Sequence, residues 1–328
     1  MKERVLITGA SGFVGYHLVT EALNKNLEVF VAVRKSSKIE HLKHLDIKYT
    51  SLDFNNPSAL NKELEEKHYN YIIHAAGVTR ARSVDEYNTI NATYTYNLAQ
   101  AAAKAGHVKK FVFISSLAAV GPLANIEGVI DANTIPHPVT AYGKSKLLAE
   151  EQLKTINDLN YTILRPTAVY GPRDKDIFIF FKQVAIGFEP YIGRIEQKLS
   201  FIYVADLAKA SINALFAGNK KTYILSDDSY YNRYELAKYI KAVLLNKTVK
   251  FHLPVNFVKM IAGIAEKVSS LTNKAAVLNI EKLNELKAVN WSCNIDAAKA
   301  DLDFQPVYNL QAGVAETIQW YKANKWLK

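Results

Sequence analysis

The chain has 328 residues, 49% of them hydrophobic and 22% charged, a balance that excludes a disordered chain and leaves apolar material for a large core. Its 41 Lys and Arg exceed its 31 Asp and Glu for a net charge of +10, but the lysines run along the whole sequence and form no clustered stripe of the kind a nucleic-acid face needs. A lone cysteine, Cys293, excludes a disulfide framework and a multi-cysteine zinc site, and no charge-free run exceeds 17 residues, short of the roughly 20 needed to span a membrane. The expectation is a soluble, cytoplasmic protein with no bound metal and no nucleic-acid partner. Its basic surface leaves room for an anionic ligand or a peripheral membrane contact. Its length suggests two domains, or one large fold with a cap.

Arg4–Ile7 reads as a short strand, followed by a glycine-rich turn and a helix over Tyr16–Asn24. Lys2 and Arg4 before an uncharged run resemble a secretory leader, but glycines interrupt the run and no small-x-small site closes it. Further strands are expected at Val29–Val33, Ile47–Leu52, Tyr71–His74, Phe111–Ser115 and Thr162–Leu164, with helices at 57–67, 86–105 and 140–157 between most of them. Continuous apolar runs such as VFVAV and FVFIS fit parallel strands buried on both faces. The expected fold is therefore α/β, a doubly wound parallel sheet, over residues 1–170. After Gly171-Pro172 the rhythm loosens: Phe178–Val184 looks helical, Phe201–Val204 and Tyr223–Leu225 look like strands returning to the first sheet, and 229–246 and 255–288 look mostly helical. Residues 171–198 and 229–328 then form a smaller, mostly helical substrate-binding cap, with 199–228 returning to the first domain.

Three local patterns carry chemistry. Gly9, Gly12 and Gly15, with Ser11, Phe13 and Val14 between them, form a G-x-x-G-x-x-G turn between strand and helix, where a backbone can approach a pyrophosphate. Tyr142 and Lys146 are four apart and share a helix face, where an ammonium beside a phenol would lower its pKa. Ser115 and Ser116 end the fifth strand, the edge at which open α/β sheets bind ligands. Each pattern alone also fits an ordinary turn, a surface pair or a strand end. His74 reads as a structural contact, Asp227-Asp228 as the start of a loop, and Trp291, Trp320 and Trp326 as packing residues.

Together the segments TGASGFVG, HAAG (His74–Gly77), NATYTYNL (Asn91–Leu98), ISS (Ile114–Ser116), YGKSK, RPTAVYGP (Arg165–Pro172) and FIYVADLAKA (Phe201–Ala210) resemble, in order and spacing, an extended short-chain dehydrogenase/reductase. The resemblance implies a Rossmann-type sheet and a nicotinamide cofactor. It makes Tyr142 the acid/base, Lys146 its activator and a ribose contact, and Ser116 the hydroxyl that orients the substrate, with Ser115 as the alternative. It implies that Asp53 contacts the adenine amino group, that Ala75, Ala76 and Gly77 pass close to the cofactor, that Asn91 ends the helix approach beneath the site, and that Thr167 neighbours the nicotinamide. It also implies a homodimer through helices 86–105 and 140–157.

Within that family, 4,6-dehydratases carry Asp-Glu after the active-site hydroxyl, where this chain has Leu117 and Ala118. Nucleotide-sugar epimerases often carry Asn where this chain has Ala168. The chain is thus more similar to the dihydroflavonol-reductase and 3β-hydroxysteroid-dehydrogenase branch. This implies an oxidoreductase acting on a ketone or secondary alcohol of a small-molecule substrate. The alternatives are an epimerase with tightly bound NAD and a non-catalytic cofactor-binding protein. Val33 is followed by Arg34-Lys35-Ser36-Ser37-Lys38 with no carboxylate before Glu40, which suits a 2′-phosphate and points to NADP over NAD. Phe257, Ile261, Ile264, Val268 and Leu271 follow a helical spacing widened by Val258, Ala262 and Ala265, either packing the cap or lining an apolar pocket.

Overall fold

The computed structural model describes residues 2–272 and 280–328, with the backbone alone for residues 266–272. Its first half alternates as expected: β1 (Arg4–Thr8), α1 (Phe13–Asn24), β2 (Glu28–Ala32), β3 (Lys48–Thr50), α2 (Pro57–Lys67), β4 (Tyr71–His74), α3 (Val84–Asn88), α4 (Tyr94–Ala105), β5 (Lys110–Ile114), α5 (Ala141–Lys154) and β6 (Tyr161–Pro166). Then come β7 (Ala168–Tyr170), α6 (Phe178–Ala185), β8 (Phe188–Ile192), β9 (Lys198–Leu199), β10 (Phe201–Tyr203), α7 (Val204–Asn213), β11 (Lys221–Leu225), β12 (Tyr231–Asn232), α8 (Glu235–Leu244), β13 (Val249–Leu253), α9 (Val255–Thr272), α10 (Ile280–Lys287), α11 (Asp296–Leu302) and α12 (Leu310–Ala323).

Seven parallel strands form one sheet in the order β11-β6-β5-β4-β1-β2-β3. This is the Rossmann-type arrangement. Side chains alternate across the sheet: Val5 and Ile7 face a core with Leu18, Val19, Leu207 and Ala210, while Leu6 joins Leu60, Leu98 and Ala149 on the other face. Fully burying each large apolar side chain contributes roughly 1.5–3 kcal/mol, so α1 and α7 are held to one face and α2, α4 and α5 to the other. Strand order reverses between β1 and β4, and the loops that leave their carboxyl ends diverge to open a crevice. A third core, around Phe181, Ile240, Val314, Ile318 and Tyr321, joins α6, α8 and α12, with Trp320 and Trp326 packed against it. Trp291 packs against the first core.

Several elements differ from the expectations. β2 ends at Ala32 rather than Val33, although the Val33 amide still bonds the Thr50 carbonyl at 3.0 Å. β3 is a short edge strand. The expected helix over 86–105 is interrupted by a π-turn at Thr89–Thr93. β10 does not return to the main sheet. It pairs with β7 in a separate two-stranded ladder, while β11 does return, beside β6. The region after residue 171 is less helical than expected, because β8 pairs with β13 and β9 with β12. On α9, Val258 and Ala262 are buried while Phe257, Ile261 and Ile264 face solvent. Val268 and Leu271 lie outside the residues whose side chains are described.

Candidate active site

The glycine turn is shaped by close backbone approaches. Gly9 sits at φ +73°, and a Cβ there would lie 2.6 Å from the Ala75 carbonyl oxygen. A Cβ on Gly15 would lie 2.1 Å from the Gly9 carbonyl oxygen. These two glycines let the loop after β1 pack against the loop after β4 and against the first turn of α1. Gly12 is different: it is exposed and caps α1 without a side-chain hydrogen bond. The first-turn N–H groups of α1 therefore have no capping side chain, the arrangement that receives an anionic group. Ser11, Phe13 and Val14 are half-buried around this turn.

The end of β4 is fastened from below. His74 Nδ1 and Thr8 Oγ1 are 2.8 Å apart, and the Ala76 amide donates to the same hydroxyl at 3.1 Å. Burial pushes the His74 pKa down to about 3, and the Lys146 charge adds to the shift. The ring is thus a neutral structural link between two strands. Asn91, in the π-turn, is fully buried. Its Oδ1 accepts from the Val78 amide at 2.8 Å, and its Nδ2 donates to the Val78 carbonyl and to Ser145 Oγ at 3.0 and 2.9 Å. Asn91 therefore ties the loop after β4 to α5. A Cβ on Gly77 would come within 2.9 Å of Asn91 Oδ1 and 3.4 Å of Lys146 Nζ, so the backbone lies directly over both.

α5 begins at a Thr140 cap, whose hydroxyl accepts from the Gly143 amide at 3.0 Å. Gly143 has no room for a side chain: a Cβ would meet the Ala118 carbonyl oxygen at 2.3 Å. Its absence lets α5 approach the segment after β5 and sets Tyr142 against Ser116. Lys146, one turn further, donates to the Ile114 carbonyl at 2.9 Å and lies 4.7 Å from the centre of the Phe113 ring. Burial lowers its pKa to about 8, with the Glu150 carboxylate opposing the shift.

The expected lowering of the Tyr142 pKa by the lysine is not what the structure gives. Burial pushes the phenol up to about 12, the Ser116 hydroxyl beside it offsets part of the shift, and Glu285 and Tyr87 add to it. The lysine ammonium is turned toward the end of β5 instead of the phenol. Tyr142 is therefore a neutral phenol, held as a proton donor near pH 7.

Of the two serines, Ser116 faces the phenol, and its Oγ also accepts from the Ala118 amide at 3.1 Å. Ser115 is buried and donates to Glu150 at 2.5 Å. Glu150 in turn is held by Arg165 at 3.0 and 2.6 Å, both side chains nearly inaccessible. Sequence reasoning misses this pair, as it misses Ser145 and Glu281, whose carboxylate accepts from the Ala141 amide at 2.8 Å. One signal points to part of it: Tyr142, Lys146 and Glu150 recur every four residues on one helix face.

The remaining expected residues ring this centre. The Thr167 amide bonds the Leu225 carbonyl at 3.0 Å, while its buried hydroxyl has no protein partner. Ala75 and Ala76 lie between Gly77 and the glycine turn. Arg34 and Lys35 are exposed in a turn just past β2, where the Arg34 amide donates to Ser37 Oγ at 3.1 Å. Asp53 is exposed beyond β3, with its carboxylate accepting from the Asn55 amide at 3.1 Å. The structure thus brings Gly77, Asn91, Ser116, Tyr142 and Lys146 together, and leaves Arg34, Lys35 and Asp53 beyond the carboxyl ends of β2 and β3. The unfilled helix terminus at Gly12, the cradle at Gly77 and the orphaned Thr167 hydroxyl fit a dinucleotide laid along this crevice. Among the described residues, no cluster of His, Cys, Asp and Glu could hold a metal ion.

Comparison with known proteins agrees with this geometry. The family model for the NAD dependent epimerase/dehydratase family matches residues 5–225. The chain is 27% identical over 327 residues to the ceramide reductase of Caulobacter vibrioides (strain NA1000 / CB15N), covering 98% of this chain and 96% of that protein. It is 25% identical over 344 residues to the decarboxylating sterol-4-alpha-carboxylate 3-dehydrogenase of Saccharomyces cerevisiae, covering 97% of each. Among solved structures, the Thermus thermophilus UDP-glucose 4-epimerase in complex with NAD shares the fold, with a TM-score of 0.79 at 20% identity, covering 97% of this chain and 99% of that one.

Proposed function

Since this chain belongs to the NAD dependent epimerase/dehydratase family, we propose that it is an NADP-preferring oxidoreductase that interconverts a ketone and a secondary alcohol. The observation that carries this reading is the meeting of Ser116, Tyr142 and Lys146 at the carboxyl end of β5. A nicotinamide bound in the crevice would supply, or in the reverse direction accept, the hydride. Ser116 would orient the carbonyl oxygen through its hydroxyl. Tyr142, neutral near pH 7 because its pKa is raised to about 12, would give its proton to the same oxygen as the hydride arrives. Lys146 would hold the nicotinamide ribose side of the crevice, and Asn91, fully buried with its amide bonded to Val78 and Ser145, would position the loop after β4 rather than touch the cofactor. Leu117 and Ala118 offer no carboxyl group for an elimination step, which speaks against a dehydratase.

A lipid substrate class is supported by two of the relatives, whose names specify a ceramide and a sterol carboxylate. Both are amphiphilic lipids with an oxygen function that can be oxidised or reduced. A carbonyl or carbinol on an amphiphile is therefore the substrate we assign. The second reading, an epimerase that oxidises and re-reduces a sugar nucleotide with retained NAD, draws on the shared fold of the Thermus enzyme. Ala168 weakens it.

Tyr142→Phe tests the assignment, because it removes the proton and little else. Positioned acid/base groups contribute about 100- to 10,000-fold. The variant should lose turnover by that order and keep NADPH affinity near the wild-type value. Near-wild-type turnover on a confirmed carbonyl substrate would remove Tyr142 from the mechanism.

A further inference from the structure

α9 carries two apolar faces where a packed helix needs one. Val258 and Ala262 are 3% and 0% exposed and do the packing. Phe257, Met260, Ile261 and Ile264 recur at spacings of three and four, so they form one row. They are 46, 55, 41 and 55% exposed. Scattered apolar residues on a surface are ordinary, but a row of four on one helix marks a contact surface.

The surroundings select what covers it. Residues 229–272 contain Arg233, Lys238, Lys241, Lys247, Lys250, Lys259 and Lys267 against only Glu235 and Glu266; Arg233 is buried on the Ile192 and Ile195 carbonyls and Lys241 pairs with the buried Glu189, while Lys238, Lys247, Lys250 and Lys259 are exposed. Half of the net charge of +10 therefore falls within the segment that bears the row. An apolar row on a cationic segment complements an anionic lipid surface, where side chains enter the acyl boundary and lysines meet headgroups. No helix among the described residues is long and apolar enough to cross a membrane, so the geometry is one of lying on the bilayer. The row from Phe257 to Ile264 spans about 12 Å of helix.

The row also stands near the chemistry. α9 packs against α10. From α10, Glu281 receives the Ala141 amide beside Tyr142, and Glu285 acts on the Tyr142 phenol. We infer that α9 seats this protein on an anionic lipid bilayer, so that an amphiphilic substrate passes from the leaflet to Ser116 and Tyr142 without crossing water. The delivery role rests on the lipid substrate class proposed above, whereas the bilayer contact stands on the helix alone.

Co-sedimentation of the full chain with vesicles tests it. Vesicles of equal parts phosphatidylglycerol and phosphatidylcholine should pellet the wild type, and phosphatidylcholine alone should pellet less. The paired variant Ile261→Glu/Ile264→Glu should lose about tenfold in partitioning, with melting temperature and NADPH affinity unchanged. The milder pair Ile261→Ser/Ile264→Ser should fall between the two. Wild-type protein that stays in the supernatant with anionic vesicles overturns the inference, as does undiminished pelleting of the Glu pair. Self-association that is lost in the Glu pair, without vesicle binding, would assign the row to a second copy of the chain and likewise overturn it. Vesicle binding without carbonyl reduction would instead count against the proposed reaction and leave the bilayer contact standing.

Discussion

Lys146 shows how the site costs stability. Its ammonium is buried against the Ile114 carbonyl and the Phe113 ring, and its pKa falls from 10.5 to about 8. Below about pH 8 the lysine is charged both folded and unfolded, and the folded state bears the full burial penalty. Between about pH 8 and 10.5 the folded protein gives up the proton while the unfolded chain keeps it. The unfolded state then binds more protons, and this group's contribution to stability rises with pH. Lys146→Met removes the charge and keeps an unbranched stem. Its stability relative to wild type should fall by about 2 kcal/mol between about pH 7.5 and about pH 9.5, at 1.36 kcal/mol per pKa unit. Urea unfolding at the two pH values measures this, and a pH-independent difference would contradict the burial argument. At this scale the sequence is legible where chemistry is local: Tyr142, Lys146 and Ser116 stand in short spaced patterns. The Glu150–Arg165 pair is not, because it joins α5 to β6 through a contact that only folding creates.

At the scale of elements, apolar runs locate the main-sheet strands, but their ends are less legible. Val33 keeps a sheet hydrogen bond to Thr50 although β2 has already ended, so apolar character alone overruns the strand by one residue. The π-turn at Thr89–Thr93 is invisible in the sequence, since no helix-breaking residue marks it, and Asn91 within it bonds Val78 and Ser145, partners that only folding brings near. β8 and β13 escape notice for a related reason: each pairs with a partner some 60 residues away, and neither alternates clearly. The turn after β2 bears the cofactor prediction. Arg34 is exposed there with no carboxylate before Glu40, and a guanidinium can pair a 2′-phosphate through a charge-assisted fork. Such bonds contribute roughly 1.5–3 kcal/mol, so Arg34→Ala should weaken NADPH about ten- to a hundredfold and leave NADH nearly unchanged. Fluorescence titration with both cofactors reads the ratio. Equal wild-type affinities, or a ratio unmoved by the substitution, would contradict an NADP preference.

The whole molecule joins a sheet legible in the sequence to a region after residue 171 whose strand pairs, β8 with β13 and β9 with β12, are not. Parallel strands buried on both faces announce themselves as unbroken apolar runs, which makes the central strands of the sheet readable. β10 has the same apolar character as those strands but pairs with β7 in a separate two-stranded ladder. The exposed row on α9 has the helical spacing of a packed face, and only the burial of Val258 and Ala262 separates the packed face from the exposed one. What the assembled molecule is proposed to do is move a hydride between a nicotinamide and a carbonyl carbon. The most direct measurement follows deuterium from NADPH labelled at either C4 position into the product of an amphiphilic ketone. The account predicts one deuteron on the carbinol carbon from one of the two labelled positions, with one NADP⁺ formed per alcohol. A product that keeps only the substrate's own hydrogen, with no net NADPH consumed, would contradict it and favour an epimerase that retains its cofactor.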